Sequence, residues 1–118
     1  MEEKLNRNRP ISQIEVEEEI LRLTGLLENE TENFETLAQD AAIKDANMKS
    51  SWAKEYLGAK GSIKEREAWA DYKLQDLIMQ YKISEALVKS KRERLHSLRT
   101  SIDALRTLAA NVRAQTMP

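Results

Sequence analysis

The feature that most limits how this chain can fold is a ridge of residues spaced strictly three and four apart through its second half. Leu74, Leu77, Tyr81, Ser84, Val88, Lys91, Leu95, Leu98, Ile102, Leu105, Ala109 and Val112 form it, and only Ser84 and Lys91 are polar. A repeat of 3.5 residues keeps one stripe of an α-helix against a partner helix when the two supercoil left-handedly. A strand would need a period of two. The first half repeats the pattern less cleanly. Val16, Ile20, Leu23, Leu27, Glu30, Phe34, Leu37, Ala41, Lys44 and Met48 step by four and three, and Trp52 extends the row.

Helix ends are marked as clearly as the stripes. Ser12 with Glu15, and Ser62 with Glu65, have the spacing of a capping box, in which each side chain satisfies the other residue's free backbone N–H. Gly58 and Gly61 stand just before the second box, and glycine most readily takes the left-handed turn that ends a helix. These signals predict a helix over about 13–57, a turn over 58–62 and a helix over about 63–114. Together they make one hairpin domain over 12–115, preceded by an arm over 1–11 that is expected to be flexible. A turn near residue 60 sets residue i beside residue 121 − i. The weak point is Gly25 with the polar run 29–33, where a break would give three helices in place of two.

Composition agrees with long helices. Charged residues make up 33% of the 118, aromatics 5%, and there are three glycines and two prolines. That leaves too few turn formers for a sandwich or an α/β domain. The expected fold is all-α, a long antiparallel helical hairpin of coiled-coil type. Leu21, Leu26, Ile78, Ile83, Leu87 and Leu108 lie off the stripe and widen it, as in bundles of three or more helices. Two helices cannot bury them, so assembly into an oligomeric helical bundle is expected, a four-helix dimer being the simplest.

The chemistry of catalysis is missing. There is no cysteine and one histidine, His96, which has no second His or Cys to share a metal. Phosphate-loop, nucleophile-elbow and kinase signatures are absent. The expectation is a protein that is not an enzyme and has no cofactor, metal or catalytic residue. No signal-peptide order and no run of about 18 apolar residues occurs, so a soluble intracellular protein with no membrane partner is expected.

Charge is balanced overall at −1 but divided between the halves: −5 over residues 1–60 and +4 over 61–118. Two readings of the basic C-terminal run are open. The acidic residues between Glu15 and Glu35 can neutralise it across the hairpin and fix the antiparallel pairing. Alternatively Lys89, Lys91, Arg92, Arg94 and Arg99 contact nucleic-acid phosphates. Five of the six aromatics, Trp52, Tyr56, Trp69, Tyr72 and Tyr81, cluster around the turn among lysines and arginines. They either pack the hairpin tip or stack on single-stranded bases, with Trp69 and Tyr72 as candidates.

The stretch Lys60-Gly61-Ser62-Ile63-Lys64-Glu65-Arg66-Glu67-Ala68, and the tail from Ser84 to Leu95 running into Ile102–Leu108 and Asn111–Gln115, resemble a family of small helical proteins encoded by bacteriophages of Gram-positive hosts. The resemblance covers about residues 50–115. It implies a gene neighbourhood of replication and recombination and a location in the host cytoplasm. Shape and charge are also loosely similar to the UvsY-type recombination mediators, without a motif that transfers residue by residue. The expected function is a phage accessory protein of DNA recombination or replication. It would oligomerise through the seam and bind single-stranded DNA or a recombinase. A helical adaptor or inhibitor acting on another host or defence protein, and a structural virion component, are the alternatives.

Overall fold

In the computed structural model, which describes residues 11–116, every element is a helix: α1 (Gln13–Gly58), α2 (Ile63–Lys73) and α3 (Gln75–Thr116). The fold is the expected all-α antiparallel hairpin, with α1 as one arm and α2 followed by α3 as the other. Of the arm expected over 1–11, residues 1–10 lie outside the described residues.

Both capping boxes form. The Glu15 N–H donates to Ser12 Oγ at 3.2 Å and the Ser12 N–H to Glu15 Oε2 at 3.4 Å. At the second start the Glu65 N–H donates to Ser62 Oγ at 3.2 Å, and that hydroxyl donates to Glu65 Oε1. The turn uses one of the two glycines. Gly61 has φ 118°, while Gly58 closes α1 in the ordinary helical range.

α1 runs unbroken through Gly25 and the polar run 29–33. The hydroxyls of Thr24 and Thr31 donate back to the carbonyls of Ile20 and Leu27 at 2.7 Å, so their polarity is satisfied within the helix. A glycine costs a helix about 1 kcal/mol, less than the roughly 1.5–3 kcal/mol gained by burying one leucine, and Leu23, Leu26 and Leu27 all lie on the packed side.

The break occurs instead at Leu74, where one helix over 63–114 was expected. Leu74 has φ −108° and ψ 17°, yet the hydrogen bonds Leu74 N–H to Ala70 O and Ile78 N–H to Leu74 O persist at 3.0 and 2.9 Å. Side-chain bonds hold α2 to α1 up to Asp71, and the ladder is distorted where those ties end and α3 begins.

The chain divides into two packed units. Unit 1 joins the residues up to Glu32 with those from Glu93 onward, and unit 2 spans Asn33–Arg92. In unit 1, Leu23, Leu98 and Ile102 form a buried cluster with Leu26, Leu27 and Leu105 packed against it. Val16, Leu95, Ala109 and Val112 are buried as well, and Ile20 is half-buried. In unit 2 the buried positions are Ala70, Leu74 and Ser84. Phe34, Leu37, Leu77, Tyr81, Val88 and the polar seam members Lys44 and Lys91 are half-buried there. All twelve positions of the α3 ridge are buried or half-buried, and only Ile78 and Leu108 join them between 74 and 112.

The register differs from 121 − i. Glu30 meets Arg94 within unit 1 and Phe34 lies under Arg92 within unit 2, at 124 − i and 126 − i, while nearer the turn Trp52–Asp71 and Tyr56–Arg66 fall at 123 − i and 122 − i.

Candidate nucleic-acid interface

At about 100° per residue, positions just off a helical seam fall on one flank or the other. In unit 2 one flank carries Lys49 and Trp52 from α1 and Ile78, Lys82, Lys89 and Arg92 from α3. A groove of about 460 Å³ opens there. Met48, Trp52, Ile78 and Tyr81 form its apolar floor, and Lys49, Lys82 and Asp71 stand at its rim. The volume suits one small aromatic group, since ligand pockets run from about 300 to 1,000 Å³.

The carboxylates along this flank already have donors. The Trp52 indole N–H donates to Asp71 Oδ1 at 2.9 Å, and Lys49 Nζ lies 3.1 Å from Asp45 Oδ2. The Tyr81 hydroxyl donates to Glu85 in a very short bond. That bond pushes the Tyr81 pKa up to about 12, helped by desolvation and the nearby charges of Glu85 and Asp45. Asp45 Oδ1 is buried without a hydrogen-bond partner. Behind the floor Trp52 stacks on Tyr56 with ring centroids 5.3 Å apart, and the Arg66 guanidinium sits 5.8 Å over the Tyr56 ring. Such a stack, with the indole bond to Asp71, fixes Trp52 in one orientation.

Of the seven residues expected to bind nucleic acid, five lie in unit 2 and Arg94 and Arg99 in unit 1. Lys89 and Arg92 share the flank just described, although Arg92 also lies 5.7 Å over the Phe34 ring. Lys91 occupies a seam position, half-buried and already engaged. Arg94 belongs to unit 1, where its Nε is 3.4 Å from Glu30 Oε1. Arg99 is exposed in unit 1. Trp69 and Tyr72 stack on each other along α2 at 6.2 Å, with the Lys73 ammonium 5.2 Å over Trp69. Trp69 is tied down by its N–H to Glu55 at 3.1 Å.

Charge separates the units in the same sense. Unit 1 has eight Lys/Arg against eleven Asp/Glu, and unit 2 eleven against nine. The basic residues of the C-terminal arm are therefore outnumbered within their own unit, as the neutralisation reading expects. Arg94 is half exposed, but its partner Glu30 is mostly buried at 14% side-chain exposure. Unit 2 keeps a basic excess and holds Trp52, Tyr56, Trp69, Tyr72 and Tyr81.

Trp52 and Tyr81 belong to the aromatic cluster that the sequence marked, but their grouping with Lys49 and Lys82 on one flank was not read from it. One signal was present: Lys82 and Lys89 stand seven residues apart, and so share a flank of a helix wound on a 3.5-residue period. His96 is exposed on α3, and among the described residues no three His, Cys, Asp or Glu side chains group as metal ligands would. No helix among the described residues is long and apolar enough to cross a membrane. No protein-family model, no curated protein and no solved structure matches this chain.

Proposed function

We propose that this chain is a non-enzymatic accessory protein of phage DNA recombination or replication, one that self-associates and holds single-stranded DNA on the groove flank of unit 2. The resemblance of residues 50–115 supplies the phage setting and the host cytoplasm. The observation that carries the DNA reading is the groove itself. Trp52 and Tyr81 line it, Lys49 and Lys82 line it with them, and Lys89 and Arg92 continue the basic row along the same flank. Stacking on aromatic side chains with cations spaced along a strand is how sequence-tolerant single-strand binding is built. Asp71 and Glu85 accept bonds from the aromatic side chains, and Asp45 pairs with Lys49, which lowers their repulsion toward a phosphate.

An electrophoretic shift with unlabelled competitor tests this reading. A single-stranded oligonucleotide should be retarded at low salt and released as salt rises. The Trp52→Ala variant should weaken the complex by about 1–3 kcal/mol, the worth of one stacked base. Absence of any complex at low salt removes the reading.

A second reading, a helical adaptor for a recombinase or another protein, is favoured by a separate observation. Met79, Ile83 and Leu87 are each at least half exposed on the other side of α3. A pull-down that recovers one protein after nuclease treatment, with no oligonucleotide shift, would select it.

A further inference from the structure

We propose that the groove of unit 2 selects guanine, with Asp71 accepting from the two N–H donors of the base's Watson–Crick edge and Lys82 donating to its O6. This rests on the DNA reading above and names which base of the strand enters the groove.

The selection follows from which polar atoms around the groove are already engaged. The Trp52 indole N–H donates to Asp71 Oδ1, and the Tyr81 hydroxyl donates to Glu85. Lys49 is paired with Asp45 at 3.1 Å. The Asp71 carboxylate keeps acceptor capacity beyond the indole bond, and Lys82 brings an ammonium; both line the groove and both are exposed. An ionised carboxylate only accepts, at two oxygens, and an ammonium only donates. A phosphate inside the groove would meet Asp71 as like charge. A base edge that sets donors beside an acceptor satisfies both groups.

Among the DNA bases only guanine carries two adjacent donors, N1–H and the 2-amino group, with the acceptor O6 next to them. Adenine and cytosine offer one amino group beside an unprotonated ring nitrogen, which would face the second carboxylate oxygen. Thymine has a single N–H between two carbonyls. The indole bond holds the Asp71 carboxylate in place, which favours a two-bond pair with the base, the kind of contact that discriminates.

Spacing leaves room for one base between the two groups. Asp71 and Lys82 are eleven residues apart, about 16 Å of helical rise. Side chains tilt toward the N-terminus of their helix, so the long lysine stem reaches back toward Asp71 and takes up part of that gap. The volume of about 460 Å³ accommodates a purine over the apolar floor. Lys89 and Arg92 lie further along the same flank, where phosphates of neighbouring nucleotides would run. That favours a guanine within a strand over a free nucleotide.

Competition titrations of the wild type at low salt test this with a short oligothymidine carrying one central guanine, and with adenine, cytosine or inosine in its place. The guanine strand should bind roughly tenfold tighter than the adenine and cytosine strands, as one good bidentate contact provides. Inosine lacks only the 2-amino group and should lose most of that gain. Asp71→Asn keeps an acceptor for the Trp52 indole and replaces the second carboxylate oxygen with a donor. It should still bind plain oligothymidine but show no preference for guanine. Equal binding of all strands overturns the proposal and leaves the DNA reading standing. So does inosine binding as tightly as guanine, even if Asp71→Asn fails to fold. A guanine preference that survives in folded Asp71→Asn, or displacement of the strand by dGMP at equal concentration, also overturns it. Absence of binding by every strand removes both readings.

Discussion

The Trp52 indole N–H donates to Asp71 Oδ1 at 2.9 Å across nineteen residues of sequence. Three residues further along α1 the tie runs the other way, from the Trp69 N–H to Glu55 at 3.1 Å. Two indoles on opposite arms thus each bind a carboxylate on the other arm. The short helix α2 buries only Ala70, so its place against α1 rests on these two bonds more than on apolar contact. Trp52→Phe keeps an aromatic ring beside Tyr56 but removes the donor together with part of the indole. It should lower unfolding free energy by about 1 kcal/mol, the usual net worth of one hydrogen bond, as read by urea denaturation followed in the far ultraviolet. An unchanged midpoint would show that the tie contributes nothing.

The glycines should respond to alanine with opposite signs. Gly61 has φ 118°, and a Cβ there would lie 2.6 Å from Glu65 Oε2 and 3.2 Å from Glu65 Cβ. Gly61→Ala should destabilise by about 1–2 kcal/mol from the left-handed backbone alone. At Gly25, in the middle of α1, a Cβ meets nothing within 4 Å. Gly25→Ala should stabilise by about 0.5–1 kcal/mol, the cost of glycine in a helix. Thermal melts of the two variants side by side check both signs.

Unit 1 holds the deeper core. Leu98 is 8% exposed within the Leu23–Leu98–Ile102 cluster, whereas Leu21, two residues before Leu23, is 72% exposed. Leu98→Ala should cost about 3 kcal/mol, and Leu21→Ala less than about 0.5 kcal/mol. Equal losses at both sites in chemical denaturation would mean that the seam does not lie where the packing places it.

Tyr81 gives a pH signature. Its hydroxyl binds Glu85, so its pKa is raised from 10.0 to about 12. A raised folded value means the bond adds stability fully below the unfolded pKa near 10 and loses it as pH climbs through about 12. Spectrophotometric titration should show one tyrosine ionising late, and Glu85→Gln should bring that step down.

How much of this was legible in the sequence depends on the range of the signal. The α3 ridge was readable from spacing alone, because a period of 3.5 leaves one stripe to bury, and even Ser84 and Lys91 follow it into the seam. The capping boxes were readable because their partners are three residues apart. The break at Leu74 was not, since neither proline nor glycine marks it. The groove was hidden for a different reason. The Trp52–Asp71 contact depends on register, and a shift of two to three residues from 121 − i changes which flank residues share a rim. The basic run looked continuous along α3, but its members fall into two units, and in unit 1 the acidic arm α1 outweighs them.

Fluorescence anisotropy of a labelled single-stranded oligonucleotide, taken through a salt series with the wild type and with the triple variant Lys82→Gln, Lys89→Gln, Arg92→Gln, bears on the DNA reading most closely. Wild-type affinity should fall linearly on logarithmic axes, and the variant's slope should be shallower by about 2, roughly 0.7 for each phosphate contact removed. Equal slopes, or no binding by the wild type at low salt, would contradict the assignment of this flank to DNA.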